Sequence, residues 1–199
     1  ESLLSHELRN RVRGRAFFKD QHTVTVLSDS GSEDFTADYI IIATGSVSAS
    51  LPVPGADLPG ILTSREILDI DHIPQRLCVI GGGVIGLEFA SVFRSFGSEV
   101  NVIEYCKDIL PRFDSDLAKR LKQSLGKRGI EICTQSQVLS ITDTDALQVK
   151  YSRKGKEETV VADKVLMAVG RKANVASLNL SDIGLEFTPK GIVVNDSMQ

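Results

Sequence analysis

Residues 76–90 read "RLCVIGGGVIGLEFA", a short apolar run, a glycine-rich turn and the opening of a helix. Gly81, Gly83 and Gly86 stand in G-x-G-x-x-G order directly after "LCVI". That order suits a strand–turn–helix unit. Gly81 permits the tight turn, Gly83 lets a pyrophosphate approach the backbone, and Gly86 allows close helix–strand packing. Free N–H groups and the positive end of the helix dipole then face the phosphates. A lone G-x-G-x-x-G is weak evidence, and the context decides. Here "EVNVIE" supplies a second strand that ends on Glu104, roughly 20 residues beyond the glycines, where a carboxylate can hold ribose hydroxyls. Such an acid selects NAD and repels the 2′-phosphate of NADP. Lys107 lies nearby, but one lysine after a strand-end acid makes a poor 2′-phosphate site.

The surrounding pattern is βαβ. A fully apolar strand such as "LCVI" belongs in a parallel sheet covered on both faces. Residues 83–96 carry Val84, Leu87, Val92 and Phe96 at helical spacing, with Gly97 as a stop. In "SDLAKRLKQSLGKRG", Leu117, Leu121 and Leu125 form one stripe, with basic residues opposite. "IEIC" is a third strand, "ALQVKYSRKGKEETVVAD" a hairpin about Lys154-Gly155, and "KVLMAVG" a last buried strand. Upstream, residues 12–46 read as an antiparallel meander in which "SGSED" turns and "TADYIIIATGS" is a strand. "DYIIIATGS" and "DKVLMAVGR" share a design, an apolar run entered from Asp and left on Gly. Residues 47–60 hold three of the six prolines and read as a crossover, and "TSREILDI" as a short helix capped by Ser64.

These signals give an α/β, Rossmann-like dinucleotide-binding fold, a parallel sheet with helices and an added antiparallel β-meander. Residues 1–62 form a first segment, 63–185 the nucleotide-binding domain and 186–199 a return segment. With 25% charged residues and a net charge of −3, the chain lacks the basic field that recruits nucleic acid or an anionic membrane. No apolar run reaches the roughly 20 residues that span a bilayer. Three widely spaced cysteines argue against a disulfide framework and for a reducing, cytoplasmic setting. Cys78 and Cys133 read as buried inert thiols, and the three scattered histidines carry no metal-ligand spacing. The chain opens without Met or a signal-peptide pattern, as a segment of a longer protein would.

"IIATGS", "VIGGGVIGLEFASVFRSFGSEVNVIE", "ILPRFDSDLAKRL" and "VLMAVGRKANV", in that order, resemble the flavoprotein disulfide reductases, also called class I pyridine nucleotide-disulfide oxidoreductases. Within them the dihydrolipoamide dehydrogenase group is most similar. The resemblance covers essentially the whole chain and implies the family's Rossmann-like FAD/NAD(P)-binding fold, with residues 1–62 as part of the FAD domain and 186–199 returning to it. It implies that NAD is held by Gly81, Gly82, Gly83, Val84, Ile85, Gly86, Leu87 and Glu88, with Glu88 on the nicotinamide carboxamide. It further implies Glu104 on the ribose, Val138 beside the adenine and Gly170 near the nicotinamide. Gly14, Thr44, Gly45 and Ser46 match FAD-contacting positions. The family's first glycine fingerprint, its Cys-x4-Cys redox disulfide, its later "GD" flavin motif and its His–Glu pair have no counterpart here. No catalytic residue is therefore assigned, and the chain alone is expected to be inactive in the parent reaction. Ala173 also replaces the usual proline in "GRKAN".

For the parent, the resemblance implies that a dithiol such as dihydrolipoamide is oxidised through the disulfide and FAD, with hydride passed to NAD. It also implies a homodimer, the remaining FAD and interface domains as partners, and possible membership of a 2-oxoacid dehydrogenase complex. The same scaffold serves mercuric reductases, NADH oxidases, CoA-disulfide reductases and soluble transhydrogenases. A second reading is a βαβ module that binds no nucleotide and uses its glycine turn for packing. An unpartnered meander edge would also invite self-association.

Overall fold

The computed structural model describes residues 11–199. In chain order its strands are β1 (Arg15–Phe18), β2 (Thr23–Ser28), β3 (Gly31–Thr36), β4 (Ser46–Ser48), β5 (Ile61–Leu62) and β6 (Arg76–Ile80). Helix α1 (Val84–Ser95), β7 (Glu99–Ile103), α2 (Ser115–Lys127) and β8 (Ile130–Cys133) follow. Then come β9 (Ser136–Asp143), β10 (Leu147–Arg153), β11 (Lys156–Ala162), β12 (Lys164–Met167), β13 (Arg171–Ala173), β14 (Phe187–Thr188) and β15 (Gly191–Ile192). The chain folds into two compact units, one of residues 48–171 and one of residues up to 47 together with 172–199.

The unit of residues 48–171 has three layers. Its centre is a five-stranded parallel sheet in the order β5-β12-β6-β7-β8. Strand residues alternate between the two faces. Leu77, Val79, Val100, Val102 and Leu166 meet Leu87, Ala90 and Phe93 of α1 and Ala118 and Leu125 of α2. Cys78, Ile80, Ile103, Val165 and Met167 point the other way, onto Val138, Ile141, Val149 and Tyr151 of the antiparallel sheet β11-β10-β9. Both faces are covered, which is why these strands read as unbroken apolar runs. The hairpin turns at Lys154 (φ 51°) and Gly155 (φ 76°), the left-handed pair that a two-residue turn requires.

Both helices bury only part of the expected stripes, since Leu87 and Leu125 are in the core and Leu121 packs against it while other members are exposed. On α1, Val84, Val92 and Phe96 are exposed, and the buried positions are Gly86, Leu87, Ala90 and Phe93. The helix lies so close to the sheet that small residues fill the contact. On α2, Leu117 is 54% exposed while Ala118 and Leu125 are buried. Residues spaced four apart drift about 40° per step around a helix of 3.6 residues per turn, so one end of such a stripe leaves the core. Asp114 caps α2, its carboxylate accepting from the N–H groups of Asp116 (2.9 Å) and Leu117 (3.1 Å). The expected helix after Ser64 is only a 3₁₀ turn, Glu66–Asp69, without a side-chain cap at its start. Glu66 instead reaches back to the N–H of Thr63 at 2.7 Å.

The crossover residues also pack tightly. Leu51, Val53, Ala56, Leu58 and Ile61 lie on the second core face, and the N–H of Ile141 donates to Pro54 at 2.8 Å. This unit therefore starts at Ser48, ahead of the border read at 62/63. It ends at Arg171, ahead of the border read at 185/186, because Val175, Leu178 and Leu180 belong to the other core, with Phe18.

Asp163, the acid at the entry of β12, is explained by Arg76. Its Oδ2 accepts from the Arg76 N–H (2.8 Å) and its Oδ1 from the guanidinium (2.5 and 3.2 Å), tying together the starts of β6 and β12. The guanidinium and these hydrogen bonds hold the Asp163 carboxyl below its usual range. The lowered folded-state value contributes stability that is present above the ordinary aspartate range and lost as pH falls through the folded one. Asp163→Asn should lower stability by about 1 kcal/mol at pH 7, a modest figure because both side chains are partly exposed. The loss should shrink as denaturant titrations are taken toward pH 3. A constant loss would show that the charge is not responsible.

In the other unit β1, β2 and β3 form the expected meander. The turn falls at Asp29–Ser30, however, and "GSEDF" is strand β3, because Ser28 pairs with Gly31. Of the strand expected over residues 38–46 only Ser46 is in one, at the start of β4, and residues 38–45 are in none. Ile40 and Ile42 pack toward Phe18 and Leu178, while Tyr39 (89%) and Ile41 (90%) are exposed. Residues 39–42 thus keep the alternation of a strand although residues 38–45 are in no strand among the described residues. No helix among the described residues is long and apolar enough to cross a membrane.

Candidate functional site

At the C-terminal ends of β6, β7 and β12 lies a cavity of about 980 Å³. Parallel α/β sheets offer their ligand crevices at this edge. Gly81, Gly83, Val84, Glu104, Val138 and Gly170 all line it, so residues far apart in the chain converge. Gly81 leaves β6 with φ 111°, its N–H donating to the Ile103 carbonyl at 2.8 Å. Gly83 is the N-cap of α1 and makes no side-chain cap bond. The N–H groups of the first helical turn consequently face the cavity edge without an intrahelical acceptor.

The glycines divide by what a side chain would meet. A Cβ on Gly81 would lie 2.4 Å from the Ala168 carbonyl oxygen, and one on Gly86 2.1 Å from that of Gly81. One on Gly82 would press on Ile109 (3.0 Å) and on Glu104 (3.1 Å). A Cβ on Gly83 would meet nothing within 4 Å, and the residue has an ordinary φ of −78°. The protein's own packing and backbone therefore make no demand for glycine at position 83.

Glu104 is 7% exposed and sits on the same side as this turn. One carboxylate oxygen accepts from the Gly82 N–H at 2.5 Å and the other from the Cys106 N–H at 2.6 Å. Each oxygen keeps a further lone pair for a ligand hydroxyl. The strand end around it is pinned too, since Glu104 donates to the Cys133 carbonyl (2.8 Å) and accepts from Ser136 (2.9 Å). Val138, on β9, also lines the cavity.

Other nominated residues lie elsewhere. Gly82, Gly86 and Leu87 are buried in the βαβ packing, and Ile85 and Glu88 are on the exposed side of α1, outside the cavity lining. In the second unit, a Cβ on Gly14 would collide with the Leu27 carbonyl oxygen at 2.4 Å, so the meander itself requires that glycine. Gly45 has φ 67° with open space around it, and Asn174 donates to the Thr44 and Gly45 carbonyls at 3.2 and 3.0 Å. Ser46 begins β4. Burial raises the Cys78 thiol well above its usual range, and burial with Glu104 nearby raises that of Cys106. Both are thus held as thiols rather than thiolates.

The residues that sequence reasoning missed come from 105–113. Leu110, with φ 49°, donates its N–H to the Gly82 carbonyl at 2.9 Å, and Leu110 to Phe113 form a wall of the cavity. "ILPRF" carries no spacing signal, and only the fold-back onto the glycine turn gives it a place.

Residues 3–199 match the family described as pyridine nucleotide-disulphide oxidoreductase. Dihydrolipoyl dehydrogenase of Staphylococcus aureus is 34% identical over 198 residues, covering 98% of this chain and 42% of the relative. Dihydrolipoamide dehydrogenase of Chaetomium thermophilum is 40% identical over 190 residues, covering 93% and 38%. Among solved structures, the HOCl-induced flavoprotein disulfide reductase RclA from Escherichia coli superposes with a TM-score of 0.82 at 31% identity, covering 94% of this chain and 42% of that one. The chain thus spans about two fifths of the length of these relatives. With its three-layer unit, its glycine turn and this match along nearly its whole length, the chain belongs to the pyridine nucleotide-disulphide oxidoreductase family of flavoprotein oxidoreductases.

Proposed function

We propose that residues 48–171 are the NAD(H)-binding part of an FAD-dependent oxidoreductase of the dihydrolipoamide dehydrogenase type. The single observation that carries this reading is Gly83, a residue kept bare although the protein leaves room for a side chain there. A diphosphate seated on the turn would occupy that room. When bound, the nicotinamide supplies hydride chemistry. The chain's own residues bind and orient it. The first N–H groups of α1 hold the diphosphate, Glu104 takes the ribose hydroxyls, Val138 flanks the adenine, and Val84 and Gly170 leave the nicotinamide end open. Glu88, one turn into α1 and outside the cavity lining, is matched to the carboxamide only by the family resemblance. In the other unit Gly14, Thr44, Gly45 and Ser46 belong to the FAD side. The parent would oxidise a dithiol such as dihydrolipoamide, in a dimer.

Titration calorimetry of the purified protein tests the reading. NADH should bind, and NADPH at least tenfold more weakly, about 1.4 kcal/mol, because its 2′-phosphate meets the buried Glu104 carboxylate. Glu104→Ala should narrow that gap. Absence of binding by either nucleotide would remove the reading, and equal affinities would remove the role of Glu104.

A further inference from the structure

The cavity has few charged residues. Its charged lining consists of Glu104, Arg112 and Arg171. The first turn of α1 carries no acidic side chain, and the residues of the glycine turn carry no charge at all. A nucleotide diphosphate brings two negative charges to this place, and backbone N–H groups alone would meet them on the glycine side. Arg112 lines the same cavity, on the wall formed by Leu110 to Phe113. Among the described residues its guanidinium makes no hydrogen bond or ion pair. The Leu110 N–H bond to the Gly82 carbonyl, 2.9 Å long, fastens this wall to the turn two residues ahead of Arg112. Leu110 is buried and Pro111 has a restricted φ, so position 112 is carried by a stiff stretch rather than a free loop.

We propose that Arg112 is a phosphate-anchoring residue of this cavity and reaches the nucleotide diphosphate from the wall fastened to the glycine turn. The claim rests on the dinucleotide reading above and extends it. Arginine is suited to the task because its planar fork can give two parallel N–H bonds to phosphate oxygens. The diphosphate, rather than a 2′-phosphate, is the target. The wall is fastened to the glycine turn itself, whereas the ribose position is held by the Glu104 carboxylate between the Gly82 and Cys106 N–H groups. Lys107, on the same stretch, is not part of the lining.

The test compares wild type, Arg112→Ala and Arg112→Lys in calorimetric titrations with NADH, NADPH and adenosine. Arg112→Ala should weaken NADH about tenfold and leave adenosine unchanged, since adenosine has no phosphate. Arg112→Lys should recover part of the loss, as a point charge without the fork. The salt dependence of NADH binding should also become shallower in Arg112→Ala. An equal loss for NADH and adenosine, or a loss confined to NADPH, would overturn the proposal. So would unchanged NADH affinity in Arg112→Ala. If wild type binds no NADH, the failure belongs to the dinucleotide reading. Thermal unfolding of the three proteins without ligand should coincide, which separates lost anchoring from lost structure.

Discussion

Gly83→Ala is expected to abolish NADH binding, with at least a hundredfold loss of affinity, while the protein stays folded. The backbone at this residue (φ −78°, ψ −179°) is extended and open to alanine, and the added Cβ touches no protein atom within 4 Å. An alanine N-cap is somewhat worse than glycine, so stability should fall by no more than about 1 kcal/mol. Binding has no such tolerance. The N–H groups of a helix N-terminus hold a phosphate only if its oxygens reach normal hydrogen-bond distance, near 2.9 Å. A methyl group standing in that approach pushes the diphosphate outward, and the helix-end interaction weakens steeply. Calorimetry with NADH, paired with thermal unfolding of the ligand-free protein, reads both effects. Wild-type affinity in the variant would show that no ligand passes over this residue.

Gly81→Ala should do the opposite and cost the fold itself. Gly81 sits at φ 111°, outside the range of L-residues, and its Cβ would lie 2.4 Å from the Ala168 carbonyl oxygen. Backbone strain of about 1–3 kcal/mol adds to overpacking of about 1–3 kcal/mol. A loss of about 3–5 kcal/mol is a large share of the 5–15 kcal/mol that holds a typical domain together. The clash is with the backbone of the segment after β12, which is pinned by Ala168 donating to the Ile80 carbonyl at 2.8 Å. Side-chain repacking cannot relieve it. Urea unfolding should show a markedly lower midpoint with an unchanged slope. A variant as stable as wild type would mean that the β6 and β12 ends are looser than this geometry. The two substitutions, two residues apart in one motif, thus separate a glycine kept for the ligand from one kept for the chain.

Much of this architecture is legible from residue order because the forces that set it are local. The βαβ unit announces itself through an apolar strand, a glycine turn and a helix, and Glu104 lies on the turn side of the sheet, as its spacing implies. The burial faces of α1 and α2 were less readable. Leu117 and Val92 are as greasy as the residues that are buried, and helix–sheet distance chooses Gly86 and Ala90 instead. Residues 38–45 show the same limit. A strand exists as a strand only when a neighbour supplies its ladder, and residues 38–45 of "DYIIIATGS" are in no strand among the described residues until Ser46 opens the paired strand β4, whereas "KVLM" lies between two strands.

The order of the residues alone determined the parallel α/β unit, the glycine turn and the acid one strand over, since turn geometry and side-chain period are properties of neighbours along the chain. Only the tertiary structure decided which glycine of the turn leaves open space for a Cβ, that Glu104 clamps the turn through Gly82 and Cys106, and that Arg112 joins the cavity lining. Those outcomes depend on contacts between segments far apart in the chain, and such distances are fixed when the layers pack.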